Sequence, residues 1–302
     1  MSRKLLLGII VVLLVTNVAT LLMSTTGRQG ETLEDNPTEL DIDTKKPVAS
    51  IGEEDITYEE WMVALRQNHG EKQLKNLIDR TVIEKLAADN NFSVSEKVMD
   101  RELALLTSMQ GVMTKEETEK MEEMWRKDIE YRYQLEFLLT EDISISENEL
   151  RSYYTNYQNQ YNFTEAIQFS HILVEDKETA DKVKKELDNG ASFSLLAQEY
   201  SIDEDTKDAG GYFGYYTTNS QFLPNGYEDQ ALEMEEFSYS EPFLTDQGYA
   251  IMYLHRSMPE ITFTYEELKP YIKSELALES SELSLDAAPL WEKFDIDWIY
   301  AE

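Results

Sequence analysis

The 302 residues contain no cysteine, only three histidines (His69, His171 and His255) and 27 Lys plus Arg against 60 Asp plus Glu. Without thiols there is no disulfide scaffold, haem attachment or cysteine zinc site, and three histidines cannot supply a zinc finger. A formal net charge of −33 repels phosphate backbones, so nucleic acid is not an expected partner. No internal repeat and no wall-sorting tail is present, which argues against a cell-surface adhesin. Sixty acids make any lone carboxylate pair uninformative, so the signals must come from position. Hydrophobic residues make up 41% of the chain, enough to fill a core or two, and two folded domains are expected. The lack of cysteine also suits a compartment in which stray thiols would be oxidised.

What is present begins with an uncharged run, Leu5 to Met23, preceded by Arg3 and Lys4. As a helix it would span ~28 Å at ~1.5 Å per residue, close to the hydrocarbon thickness of a bilayer. A cleaved signal peptide has an apolar region of only ~7 to 15 residues, no A-x-A sequence follows here, and a lipoprotein would need a cysteine. Residues 1–23 therefore read as an uncleaved single-pass anchor, with the N-terminus cytoplasmic and the bulk of the chain outside. Removing them takes away two cations and no acid, leaving −35 on the exported side. Residues 24–46 are polar and acidic, with hydrophobes too sparse for a buried face, and read as a flexible spacer.

Order is expected from Pro47. PVASIGEEDIT offers a short strand and a glycine turn, after which Thr57 and Glu60 form a capping box that opens a helix. Helical spacing recurs in Leu74, Leu77, Ile78, Val82 and Leu86, in Val98, Leu103, Leu106 and Met109, and in Met121, Met124, Trp125 and Ile129. These read as core stripes. Thr114 with Glu117 and Ser146 with Glu149 start two more helices, so residues 47–160 form a helical unit.

The texture changes at Glu165. AIQFSHILV alternates Ile167, Phe169, His171 and Leu173 against Gln168, Ser170 and Ile172, which is a strand pattern. Two helices follow, one carrying Ala180, Val183 and Leu187, the other Phe193, Leu196, Ala197 and Tyr200. The glycines at 210, 211 and 214 permit positive φ or close backbone approach, and no Gly-Lys-Ser/Thr follows them, so they are not a phosphate loop. A helix around Asp229 to Met234 and a strand QGYAIMYLH complete a compact α+β region.

FSHILV, ASFSLLAQEYSID, GGYFG, EPF and QGYAIMYL occur in the order and spacing of a parvulin-type peptidyl-prolyl isomerase domain, which residues 165–258 resemble. The flanking helical sequence is similar to that of extracytoplasmic foldases of the PrsA and SurA kind, and the resemblance covers residues 47–302. It implies an α+β fold in which a helical chaperone domain, 47–160, is completed by the C-terminal segment 262–302, with the parvulin domain inserted. Thr264 and Glu267 then cap a last helix containing Pro270. Phe294, Ile296, Trp298 and Tyr300 alternate as a final strand expected to pair near Val48 to Ile51.

The resemblance also implies site residues. His171 matches the first active-site histidine, Asp203 lies where members carry Asp or Cys, and Phe213, Phe222 and Tyr227 match the proline-pocket positions. Taken alone, His171 could equally be a core histidine, Asp203 a solvated loop acid and the aromatics plain packing; only joint placement favours function. Isomerisation breaks no bond, so the resemblance calls for no cofactor and no metal. The second family histidine falls on Ala250, and alternation points His255 to the opposite face. Tyr212 replaces an aspartate, and Tyr227 brings a hydroxyl to a normally apolar position, so the hydrogen-bond network must be rewired, through Tyr249, Tyr212 or water. Two functions stay open: a bacterial membrane-anchored foldase isomerising X-Pro bonds in newly exported polypeptides while shielding their apolar segments, and a holdase or scaffold with a weak or silent isomerase fold. Clients with basic segments should be favoured by charge, and two copies could pair through the helical domain.

Overall fold

The computed structural model describes residues 42–281 and 283–300. The apolar run Leu5–Met23 and most of the spacer lie outside them, and among the described residues no helix is long and apolar enough to cross a membrane. Contacts divide the chain into two units between Glu71 and Lys72. In the first, β1 (Ala49–Ile51) and β2 (Glu54–Ile56) form an antiparallel hairpin around Gly52. Thr57 then caps α1 (Tyr58–Leu65), with the Glu60 side chain returning to the Thr57 backbone. No residue of these elements is buried.

The second unit holds the long helices and the main sheet. Its helices are α2 (Glu71–Asp89, from its second residue), α3 (Glu96–Ser108), α4 (Lys115–Thr140) and α5 (Glu147–Tyr157). A further helix, α9 (Tyr265–Ser281), returns after the sheet and packs on α4 and α5. It continues through Pro270, and Thr264 and Glu267 form the capping box at its start. Thr114 and Glu117 do the same for α4, whereas Ser146 caps α5 without a returning bond from Glu149. One core joins Val98, Leu150, Phe263, Leu268 and Ile272 to Ala166 and Met258 at the sheet's end. A second joins Val82, Ile83 and Leu86 to Leu135, Leu138 and Leu290.

Three stripe positions, Leu77, Met109 and Met124, are exposed. The N-terminal half of α4 buries only Thr118 before Ile129, and of its stripe Trp125 packs against Met99 and Leu103 while Met124 faces outward. The expected strand at 294–300 is also absent, and β1 pairs with β2 instead. Phe294 and Ile296 pack against the Val82 and Leu290 cluster, and Trp298 meets Trp291 edge-on at 5.4 Å. Side-chain packing on the helices therefore takes the residues whose alternation suggested a ladder.

Five strands make the main sheet: β3 (Ala166–Val174), β4 (Tyr212–Thr217), β5 (Ser238–Tyr239), β6 (Phe243–Thr245) and β7 (Gly248–Met258). Their order is β4-β3-β7-β5, with β6 on β7 as well, and every pairing is antiparallel. All nine residues of β3 are buried, so its alternation separates two packed faces. One face, with Phe169 and Leu173, meets α8 (Tyr227–Leu232). The other, with Ile172 and Val174, is covered by α6 (Lys177–Asp188) and α7 (Phe193–Tyr200).

On that second face, toward the helices, β3 carries polar groups. Gln168 donates to the Gly111 carbonyl and to the Tyr212 hydroxyl, and Tyr215 donates to the Thr107 carbonyl. His255 lies 2.8 Å from the Ser170 hydroxyl, and burial pushes its pKa down to about 4. The unfolded chain takes up this proton near pH 6.5 and the folded chain does not. Stability is thus expected to be full above pH ~6.5 and to fall toward pH ~4, by up to about 3 kcal/mol from this group. Urea unfolding at pH 7 and pH 5 measures the slope, which His255→Gln should flatten.

Candidate functional site

The site forms where β3, β4, the start of α8, the turn between β6 and β7 and the loop after α7 converge. The chain leaving α7 is pinned to β3, since Ile202 N–H donates to the Leu173 carbonyl at 2.8 Å and the Ser201 hydroxyl accepts from Leu173 N–H. That anchoring swings Asp203 over His171. On the other side, Gly211 accepts from His171 N–H at 2.8 Å. It has φ +81°, and a Cβ there would lie 2.1 Å from the His171 carbonyl oxygen. Only glycine permits this approach, which brings β4, and with it Phe213, beside the histidine.

His171 is buried and its two ring nitrogens have different partners. Nε2 lies 2.7 Å from Asp203 Oδ2, and Nδ1 lies 2.6 Å from the Tyr227 hydroxyl. A carboxylate only accepts, so Nε2 carries the proton, and the Tyr227 hydroxyl donates to Nδ1. Thr206 completes the set by donating to Asp203 Oδ2 at 2.6 Å. Burial lowers the His171 pKa more than Asp203 raises it, so the ring stays neutral. Burial raises the Asp203 pKa, but the hydrogen bonds from Thr206 and His171 outweigh it and hold the carboxyl below its usual range. Burial also keeps Tyr227 protonated by raising its pKa.

Around this network the walls are aromatic. Phe213 stacks on Phe169 at 4.9 Å and meets the His171 ring edge-on at 4.9 Å. Phe243 closes on Tyr227 at 5.2 Å. The result is a cleft of about 520 Å³ lined by His171, Asp203, Phe213, Phe222 and Tyr227 among others. All five residues expected from the sequence are brought together. Their exposures separate them: Tyr227 is 1% exposed, whereas Phe222 is 73% exposed at the mouth. Of the polar network, Asp203 retains 18% side-chain exposure against 4% for His171.

The rewiring runs through neither Tyr212 nor Tyr249, which packs with the Ile172 and Val174 cluster on the other face of the sheet. Tyr212 bonds Gln168 on the opposite face, and Tyr227, read as an awkward hydroxyl in an apolar position, partners His171 instead. Ala250 is fully buried in the same cluster as Tyr227. Tyr227→Phe is therefore expected to leave Nδ1 without a partner and to lower activity about tenfold, the loss of one buried hydrogen bond of ~1.4 kcal/mol. Adding Ala250→His in that background should recover part of it, because Ala250 lies on the histidine's face of β7, one step along from the residue paired with His171. Isomerase assays on the single and double variants measure both. Thr206, Asn225 and Asp246 were not singled out from the sequence. Thr206 alone carried a signal, a hydroxyl three residues after Asp203, the spacing of local side-chain turns.

Comparison with known proteins places these residues in a family. The PPIC-type PPIASE domain (Rotamase) matches residues 171–256. YacD of Bacillus subtilis (strain 168), which carries a provisional peptidyl-prolyl cis-trans isomerase name, is 34% identical over 84% of this chain and 86% of its own. The foldase protein PrsA of Geobacillus kaustophilus (strain HTA426) is 31% identical over 80% of this chain and 79% of its own. The crystal structure of the peptidylprolyl isomerase PrsA from Bacillus cereus aligns over 85% of this chain and 95% of that one, at 21% identity and a TM-score of 0.32. On the two sequence matches, which run well beyond the isomerase region, the chain belongs to the parvulin-type peptidyl-prolyl isomerases, among the foldases of the PrsA kind.

Proposed function

We propose that this chain is an extracytoplasmic foldase that isomerises X-Pro bonds in newly exported polypeptides. Residues 1–23 anchor it to the membrane, and its helical region shields unfolded clients. The observation that carries the catalytic part is the Tyr227–His171–Asp203 chain of hydrogen bonds beneath an aromatic cleft.

Rotating an X-Pro amide must overcome a barrier of ~18–20 kcal/mol that comes from amide resonance. That resonance places negative charge on the carbonyl oxygen. A fixed, partly desolvated carboxylate beside the oxygen penalises the planar form and relaxes the penalty as the bond twists. Asp203 is the member of the network with access to the cleft, so it is the catalytic residue, and His171, Tyr227 and Thr206 are positioning residues. Phe213 and the ring of Tyr227 take the proline. A thousandfold acceleration needs only ~4 kcal/mol of preferential transition-state binding.

The test is cis/trans exchange of short X-Pro peptides by NMR with the purified full-length chain, beside a client aggregation assay. Catalysed exchange that falls at least tenfold in His171→Ala supports the enzyme. A folded chain that suppresses aggregation without catalysing exchange would instead make it a holdase, a reading favoured by one observation, the apolar Ala250 on the histidine's face of β7.

A further inference from the structure

Charge of one sign surrounds the cleft. Asp203, Asp205 and Asp246 line it, and no Lys or Arg does. The sequence that builds its walls is equally one-sided, with eleven acidic residues between Ser201 and Leu254 and one cation, Lys207. That lysine lies 3.6 Å from Glu204.

The three carboxylates occupy different levels. Asp203 sits at the floor within its hydrogen bonds. Asp205 and Asp246 are exposed at the rim. Asp246 stands in the turn between β6 and β7 and accepts from Asn225 Nδ2 at 2.6 Å, which ties two lips of the cleft together and holds the carboxylate at its mouth. Asp205 is held by its own backbone N–H, which donates to Asp203 Oδ1 at 3.2 Å.

We propose that the cleft selects X-Pro segments carrying Lys or Arg within about two residues of the proline, and that Asp205 and Asp246 make the selection. This rests on the reading of the cleft as an X-Pro site: the aromatic floor and the network define the site, and the rim acids set which neighbours of the proline it tolerates. Reach decides the register. An extended peptide advances ~3.3 Å per residue, and charges are screened over ~8 Å at physiological salt. A rim carboxylate therefore acts on residues adjacent to the proline. The net charge of the whole chain, in contrast, attracts a lysine wherever it lies in a client.

The experiment measures catalysed exchange in peptides that share one Ala-Pro bond and differ in a single residue, Lys, Ala or Glu, placed one or two positions from the bond or eight positions away. With the full chain at physiological salt, where screening confines the rim charges to ~8 Å, the near-lysine peptide should exceed the near-glutamate peptide by about five- to tenfold in kcat/KM, with alanine between them. The ratio should shrink toward one in Asp205→Asn plus Asp246→Asn and invert in Asp246→Lys. Asp246→Glu should retain it. Catalysis of the alanine peptide with equal rates for near lysine and near glutamate would overturn the proposal and leave the isomerase reading intact, as would a lysine effect that persists at eight positions. If no peptide is turned over, the isomerase reading fails, and peptide titration followed by NMR shifts of the cleft residues decides the rest. Tighter binding of the near-lysine peptide, lost in the double variant, sustains the selection; equal binding ends it.

Discussion

Asp203→Ala is expected to reduce catalysed exchange about 50-fold, a loss of ~2.3 kcal/mol of transition-state stabilisation. The effect should exceed that of any other single member of the network, because Asp203 alone among them has appreciable access to the cleft. Asp203→Asn separates charge from shape: it retains an oxygen that accepts from Thr206 but carries no charge to penalise the planar amide. A loss close to that of alanine would locate the effect in the charge, whereas near-normal activity would locate it in geometry and sink the electrostatic account. The pH profile gives an independent check. Hydrogen bonding holds the Asp203 carboxyl below its usual range, and burial holds His171 below its own. Neither group should change charge between pH ~7 and pH 8, so the rate is expected to be flat there. A bell-shaped profile centred near neutrality would indicate proton transfer by the histidine instead.

Gly211→Ala is expected to destabilise the protein by roughly 3 kcal/mol or more and to reduce activity with it. Two costs coincide at this position. The backbone has φ +81°, and the added Cβ would sit 2.1 Å from the His171 carbonyl oxygen, a backbone atom of a central strand that cannot swing aside. Gly190 supplies the control. Its φ is +88° with nothing within 4 Å of a built Cβ, so alanine there should cost only the conformational strain, about 1 kcal/mol. Urea unfolding of both variants measures the difference. Equal losses would mean that the approach to His171 relaxes easily and that the glycine pair serves the turn alone.

Much of the sheet was legible because period-two alternation survives burial on both faces. The pattern of AIQFSHILV coincides with β3, and QGYAIMYLH opens β7. Polar spacing read well at helix starts, where a threonine three residues before a glutamate is a local device that needs no tertiary partner. Alternation misled at Phe294 to Tyr300, where side-chain packing takes Phe294 and Ile296, and helical spacing misled at Leu77, Met109 and Met124, which are exposed. Periodicity reports which residues share a face, and only packing decides whether anything meets that face.

The same division runs through the site. The amino-acid sequence by itself determined the strand bearing His171, the glycine pair that lets β4 approach it, and the family to which both belong, because these depend on residue type and short spacing. Only the tertiary structure decided what the histidine bonds to. Tyr227 lies 56 residues from His171 and reaches Nδ1 because α8 packs against one face of the sheet. Asp246 joins Asn225 at the mouth because two loops distant in sequence close on each other. A hydrogen bond forms or fails over a few tenths of an ångström, and no spacing along a chain specifies a distance that finely across separate elements.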